Sequence, residues 1–144
     1  MKALSIKQPW ANFILDGSKT IEIKSWQTLY RGDLLICASQ TPASFLKKTS
    51  IVDSEGRNKV VDKEFEVEEY MYFGKGLFIA ELYDIQPMKK EDEDQALADL
   101  LPECFSWFLR NVRPVILFEV TGRLNLFDVS DLLIILKQPD MIAI

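Results

Sequence analysis

Between Trp10 and Trp26 the spacing of apolar residues changes from that of a helix to that of a strand, with a glycine at the joint. Trp10, Phe13 and Ile14 recur at helical intervals. Pro9 suits the first turn, where its missing N–H costs nothing, and Gly17 is placed to end the helix in a left-handed cap. From Thr20 to Trp26 the period is two. Ile21 and Ile23 share one face; Glu22, Lys24 and Trp26 share the other. The isoleucines can hold such a strand to a core while the charged pair and the indole look outward. Lys19, at the joint itself, answers no packing requirement.

The rest of the chain is strand-rich. Ala3 to Ile6 reads as a short strand, Tyr30-Arg31-Gly32-Asp33 as a turn and Leu34 to Ser39 as a buried strand. Thr41-Pro42 predicts a second short helix with Thr41 as its N-cap. Ser54 to Asn58 reads as a turn and Lys63 to Tyr72 as an acidic helix. Gly76 to Ile85 is a strong strand. Leu97, Leu100 and Leu101 fall at helical spacing in a segment from Glu91 that Pro102 stops. Three strands are expected at Phe105–Asn111, Val115–Thr121 and Leu124–Val129. Ser130-Asp131 should then cap a last helix through Leu136. The fold class is therefore α+β: a small mixed β-barrel of about six strands with short peripheral helices, closed by its first and last strands.

Several chemistries are excluded or disfavoured. The chain has 144 residues, two cysteines and no histidine. A typical zinc site and any histidine-dependent nucleophile are thus out of reach, and no metal or cofactor is expected. Cys37, inside Leu34–Ala38, reads as a small buried hydrophobe. No stretch of eighteen apolar residues and no leader pattern occur, so a soluble cytoplasmic protein is expected. The acids at 66–69 and 91–94 lack the glycine and alternation of a calcium loop and read as solvated faces. Charge is uneven along the chain. Residues 1–60 carry nine Lys/Arg against five Asp/Glu, and the remainder eight against seventeen, for a net −5. An acidic total disfavours general nucleic-acid binding but permits a local cationic cleft in the first half.

The stretch Gly17-Ser18-Lys19-Thr20-Ile21-Glu22-Ile23-Lys24, behind Gln8-Pro9-Trp10-Ala11, resembles the signature of the ASCH domain, a PUA-like family. That signature is Gly-x-Lys-x-x-Glu-x-Arg after Gln-Pro-Trp/Tyr-Ala, and Lys24 stands where the arginine is usual. Ile36–Ser39, Gly76–Leu82, Phe105–Leu109 and Gly122–Phe127 resemble later segments of the family, leaving residues 49–72 as an unmatched insertion in a single domain, 1–144. The resemblance implies a small β-barrel with helices around it and a ligand cleft between the first helix and the barrel. Lys7, Gln8, Lys19, Glu22, Lys24 and Trp26 would line it, with Trp10, Arg31 and Ser39 as further candidates. The expected ligand is nucleic acid, RNA first, or a nucleotide or nucleoside. Lysine at position 24 supplies a point charge in place of a planar fork.

Each of these residues also has a plain structural reading. Glu22 and Lys24 are neighbours on one strand face and form, at the least, a surface ion pair. In the cleft, Glu22 would accept from a base amino group or anchor Lys19 or Lys24. Trp10 is spaced like core, Trp107 lies in an apolar run, and Trp26, on the charged face, is the better stacking candidate. A second reading is an enzyme, since the resemblance extends to small amidohydrolases acting on acetylated cytidine and to ribonucleases. In the former, the motif lysine works with a threonine where Glu22 stands here. Glu22 would then act as general base for water and Lys19 as the oxyanion donor. A protein-interaction adaptor, with the acidic half facing a basic partner, is the third reading.

Overall fold

The structure is a computed structural model, and it describes residues 1–44, 48–52, 57–62 and 67–138. Nine strands and two short α-helices follow one another along the described residues. They are β1 (Lys2–Ile6), α1 (Trp10–Leu15), β2 (Ile21–Lys24), β3 (Gly32–Ala38), β4 (Lys48–Val52), β5 (Asn58–Asp62), β6 (Val67–Met71), β7 (Lys75–Pro87), α2 (Glu93–Ala96), β8 (Phe105–Glu119) and β9 (Phe127–Asp128). Six strands form one mixed sheet in the order β2-β8-β7-β3-β1-β9; β4, β5 and β6 form a second, antiparallel sheet.

The first and last strands of the large sheet in chain order do pair, Lys2 opposite Asp128 and Ala3 opposite Phe127. The expected closed barrel is not formed, however. Among the described residues no ladder joins β2 to β9, so the α+β domain rests on an open six-stranded mixed sheet. Strand β1 pairs in parallel with β3, a connection that runs through α1 and β2. Every residue from Leu34 to Ala38 is buried because both faces of this part of the sheet are covered. Leu4, Ile6, Leu34, Ile36, Phe78 and Trp107 belong to the core on one side, with Ala11 and Ile14 of α1. Ala3, Leu35, Cys37, Ile79, Val115 and Phe127 pack on the other.

The two strands expected at 105–111 and 115–121 are one strand, β8, of fifteen residues. Asn111 and Pro114 read as a turn in isolation. Instead Asn111 takes a left-handed φ of +54°, and the β7–β8 ladder shifts register near Ile79–Glu81. An extra residue at such a bulge bends a strand without ending it. The acidic helix expected at Lys63–Tyr72 is overturned where it can be seen. Val67–Met71 is strand β6, paired to β5 with Tyr70 opposite Lys59, and residues 63–66 lie outside the described residues. Cross-strand pairing outweighs the modest helix preference of two glutamates.

The remaining helices are shorter than expected. No helix begins at Thr41 among residues 41–44, which form a bend and a turn; residues 45–47 lie outside the described part. A 3₁₀ turn at Lys90–Asp92 leads into α2, which stops at Ala96 because Leu97 is left-handed (φ +53°). Leu97, Leu100 and Leu101 are therefore exposed instead of forming an apolar stripe. The last helix is only a 3₁₀ turn, Asp131–Leu133, although Ser130 caps it as expected by accepting from Leu132 N. The strand expected at 124–129 is confined to Phe127 and Asp128. Among the described residues, no helix is long and apolar enough to cross a membrane.

Candidate functional site

The short helix α1 ends as its sequence dictates. Asp16 N donates to Asn12 O, Gly17 adopts φ +88°, and Lys19 N turns back to Phe13 O at 2.9 Å. Two further backbone bonds pin the joint. Thr20 N donates to Gln95 O of α2 at 3.0 Å, and Leu109 N of β8 donates to Thr20 O at 3.0 Å. Lys19 is thus delivered to the place where α1, β2 and α2 meet.

A cleft of about 990 Å³ opens there. Trp10 of α1, residues 22–24 and Trp26 form one side. The chain after α2, the segment 121–125, and Ser39 and Gln40 after β3 complete it. Gly122 is what lets the 121–125 segment approach: a Cβ at that position would lie 2.9 Å from Ser5 Oγ.

Strand β2 has the alternation read from its sequence, and both of its faces are covered. Glu22 sits opposite Trp107 in the ladder with β8, and Trp107 is fully buried in the main core. Ile21 and the half-buried Ile23 belong instead to a small separate cluster with Met88 and Ala96, beneath α2. Lys19 is only 3% exposed and Glu22 7%. The ammonium of Lys19 donates to Ala96 O at 2.5 Å, stands 3.4 Å from Glu22 Oε1 and lies 5.3 Å from the centre of the Trp10 ring. Loss of hydration on burial pushes the Lys19 pKa below its ordinary value, and the like charge of Lys24 adds to this. Glu22 opposes both without cancelling them.

Glu22 is held between two cations. Its Oε2 lies 3.7 Å from Lys24 Nζ, and its Oε1 accepts a long bond (3.3 Å) from Ile23 N. Trp26 meets Trp107 edge to face, with centroids 4.7 Å apart at 77°, and Trp107 Nε1 donates to Trp26 O at 3.2 Å. One side of the Trp26 indole is committed to the core while the residue still lines the cleft. Trp10 likewise does both: it packs on the core, edge-on to Phe13, and lines the cleft.

Of the residues singled out from the sequence, Lys7, Trp10, Lys19, Glu22, Lys24, Trp26 and Ser39 line this one cleft. Gln8 and Arg31 do not. Gln8 is fully buried and its amide is satisfied. It donates to Asn12 Oδ1 (2.9 Å) and Tyr72 O (3.0 Å) and accepts from Asn12 N (3.0 Å), closing the first turn of α1. Arg31 is exposed and bonds the carbonyls of Thr28 and Tyr30, bracing its own turn. Sequence reasoning missed Arg123 and Asn125, which reach the cleft from the far end of the chain, and the Ala96 carbonyl that holds Lys19. A Gly-Arg pair before β9 carried no charge cluster or spacing to mark it. Among the described residues no group of three or more histidines, cysteines or carboxylates gathers in a way that could hold a metal.

The family model for the ASCH domain matches residues 4–119, a span that includes α1, β2, the Lys19–Glu22 pair and all of β8. No curated protein matches the chain significantly. With most of its length matched, the chain belongs to the ASCH domain family.

Proposed function

We propose that this protein binds a nucleotide or a short unpaired stretch of RNA in the cleft between α1 and the sheet. One observation carries the reading. A molecule of net charge −5 gathers four cations, Lys7, Lys19, Lys24 and Arg123, and one carboxylate, Glu22, around a cavity walled by Trp10 and Trp26. Lys7 and Arg123 are exposed and have no ion-pair partner among the described residues, so they are available to phosphate. Half-buried indoles offer stacking surface to an unstacked base, and RNA readers commonly combine such surfaces with base-edge hydrogen bonds. ASCH domains are PUA-like, and RNA binding is suggested for that group, which agrees with this chemistry. A few cations in a cleft of this size favour a small footprint over a long duplex. Titration with nucleoside monophosphates and short single-stranded RNA at several salt concentrations tests the proposal. Saturable binding that weakens as salt rises is expected; no binding at low salt overturns it.

A second reading, hydrolysis, is favoured by the Lys19–Glu22 pair itself. A buried lysine of lowered pKa beside a carboxylate in a cleft is an arrangement suited to proton transfer. Glu22 would take a proton from water attacking the acyl carbon, and the Lys19 ammonium would stabilise the oxyanion. Glu22 would then return the proton to the leaving amino nitrogen as the C–N bond breaks and acetate is released. Incubation with acetylated cytidine and with short RNA, followed by chromatography, should then give product that Glu22→Gln abolishes. Absence of product at high protein concentration leaves binding alone.

A further inference from the structure

The carboxylate of Glu22 is more than nine-tenths buried, lines the cleft, and has one oxygen, Oε2, that accepts no hydrogen bond among the described residues. Its two ammonium neighbours are distant for ion-paired groups, Lys19 at 3.4 Å from Oε1 and Lys24 at 3.7 Å from Oε2, and Lys19 gives its short bond to Ala96 O. An ionised carboxylate only accepts. Any ligand atom meeting it in the cleft must therefore be a donor, because an acceptor there would leave two lone pairs opposed.

Resting on the nucleotide reading above, we infer that Glu22 reads the base and that the base it selects is guanine. Among the four RNA bases only guanine presents two adjacent N–H donors on its pairing edge, N1–H and the N2 amino group. One would meet Oε2 and the other the second lone pair of Oε1, whose first takes the long bond from Ile23 N. Adenine and cytosine each place a bare ring nitrogen beside their amino group, so one carboxylate oxygen would face an acceptor. Uracil places a single N–H between two carbonyls. Lys24, Lys7 and Arg123 line the same cleft and are left for the phosphate and ribose. Trp10 and Trp26 are left for the purine face. The negative charge of Glu22 would otherwise weaken an anion site; as a base reader it exchanges some phosphate affinity for discrimination.

The comparison that isolates this is GMP against IMP, which differ only in the N2 amino group, measured by calorimetry on the unaltered protein with AMP, CMP and UMP alongside. GMP should bind tightest, about tenfold or more tighter than IMP, the loss expected when one hydrogen bond to a buried charge is left unmade. Glu22→Gln should make GMP and IMP alike while binding still falls with salt. Equal affinity of the unaltered protein for GMP and IMP, or preference for UMP, overturns the guanine assignment and leaves nucleotide binding standing. No binding of any of the five overturns the guanine assignment, and, if short single-stranded RNA also fails to bind at low salt, the reading it rests on.

Discussion

The side chain of Lys19 closes a bond to the carbonyl of Ala96, seventy-seven positions along the chain and at the C-terminal end of α2. A cation there meets carbonyls that the helix leaves unpaired. The lysine of the family motif is thus first a tie between β2 and α2, and only through its remaining donors a cleft group. Because burial lowers its pKa from the ordinary 10.5, the folded protein releases this proton at lower pH than the unfolded chain. Below the folded value both states carry the charge and the contribution is flat. Between the folded value and 10.5 the unfolded chain holds more protons, so stability rises with pH; above 10.5 the gain is complete. Urea midpoints taken across the alkaline range should climb more steeply in the unaltered protein than in Lys19→Met. Parallel curves would show that Lys19 is charged and neutral at the same pH in both states.

Trp107 carries the floor on which the cleft stands. It is fully buried, lies opposite Glu22 and supports Trp26 by an edge-to-face ring contact and by its Nε1–H. Trp107→Ala should cost about 3–5 kcal/mol of stability, as other buried tryptophans do when cut to alanine. A urea midpoint that moves by less than the experimental error would mean the cavity refills without cost.

The two cysteines are free and differ sharply in setting. Cys37 is buried in the sheet and its thiol is pushed up to about 12 by desolvation, whereas Cys104 is half-exposed in the turn before β8. Thiolate is the reactive form. A thiol reagent at neutral pH should label Cys104 alone in the native protein and both residues in denaturant. Rapid labelling of Cys37 in the native protein would contradict its burial.

What could be read from the chain follows how local the determining interactions are. Lys19, Glu22, Lys24 and Trp26 lie within eight residues of one another on a joint whose geometry their own spacing sets, and they do share a cleft. The burial of Glu22 on that face was not legible, because it depends on which side of β8 carries Trp107. Arg123 and Ala96 arrive by tertiary approach, one through Gly122 resting on Ser5, the other through the left-handed stop at Leu97. Neither leaves a periodic trace. The fusion of two expected strands into β8 has the same origin: Asn111 is a turn residue by type, and only pairing with β7 makes it a bulge.

Gln8 and Lys24 stand in the same family motif and should fail in opposite ways. The Gln8 amide is buried, bonds the carbonyl of Tyr72 and both the backbone and side chain of Asn12, and does not line the cleft. Replacing it by leucine leaves the Tyr72 carbonyl and the Asn12 N–H without that partner, at about 1–3 kcal/mol for each group that finds no substitute. Lys24 is partly exposed, and its ion pair with Glu22 at 3.7 Å has no hydrogen bond to support it, so its loss should cost the fold less than about 1 kcal/mol. Its charge, by contrast, faces the cleft directly. Gln8→Leu should therefore lower the urea midpoint while leaving nucleotide affinity and its salt slope unchanged at temperatures where the variant is folded. Lys24→Ala should leave the midpoint nearly in place, weaken binding, and reduce the steepness with which affinity falls as salt rises, by roughly one phosphate contact. Loss of affinity in folded Gln8→Leu would return Gln8 to the cleft. An unchanged salt slope in Lys24→Ala would remove Lys24 from it.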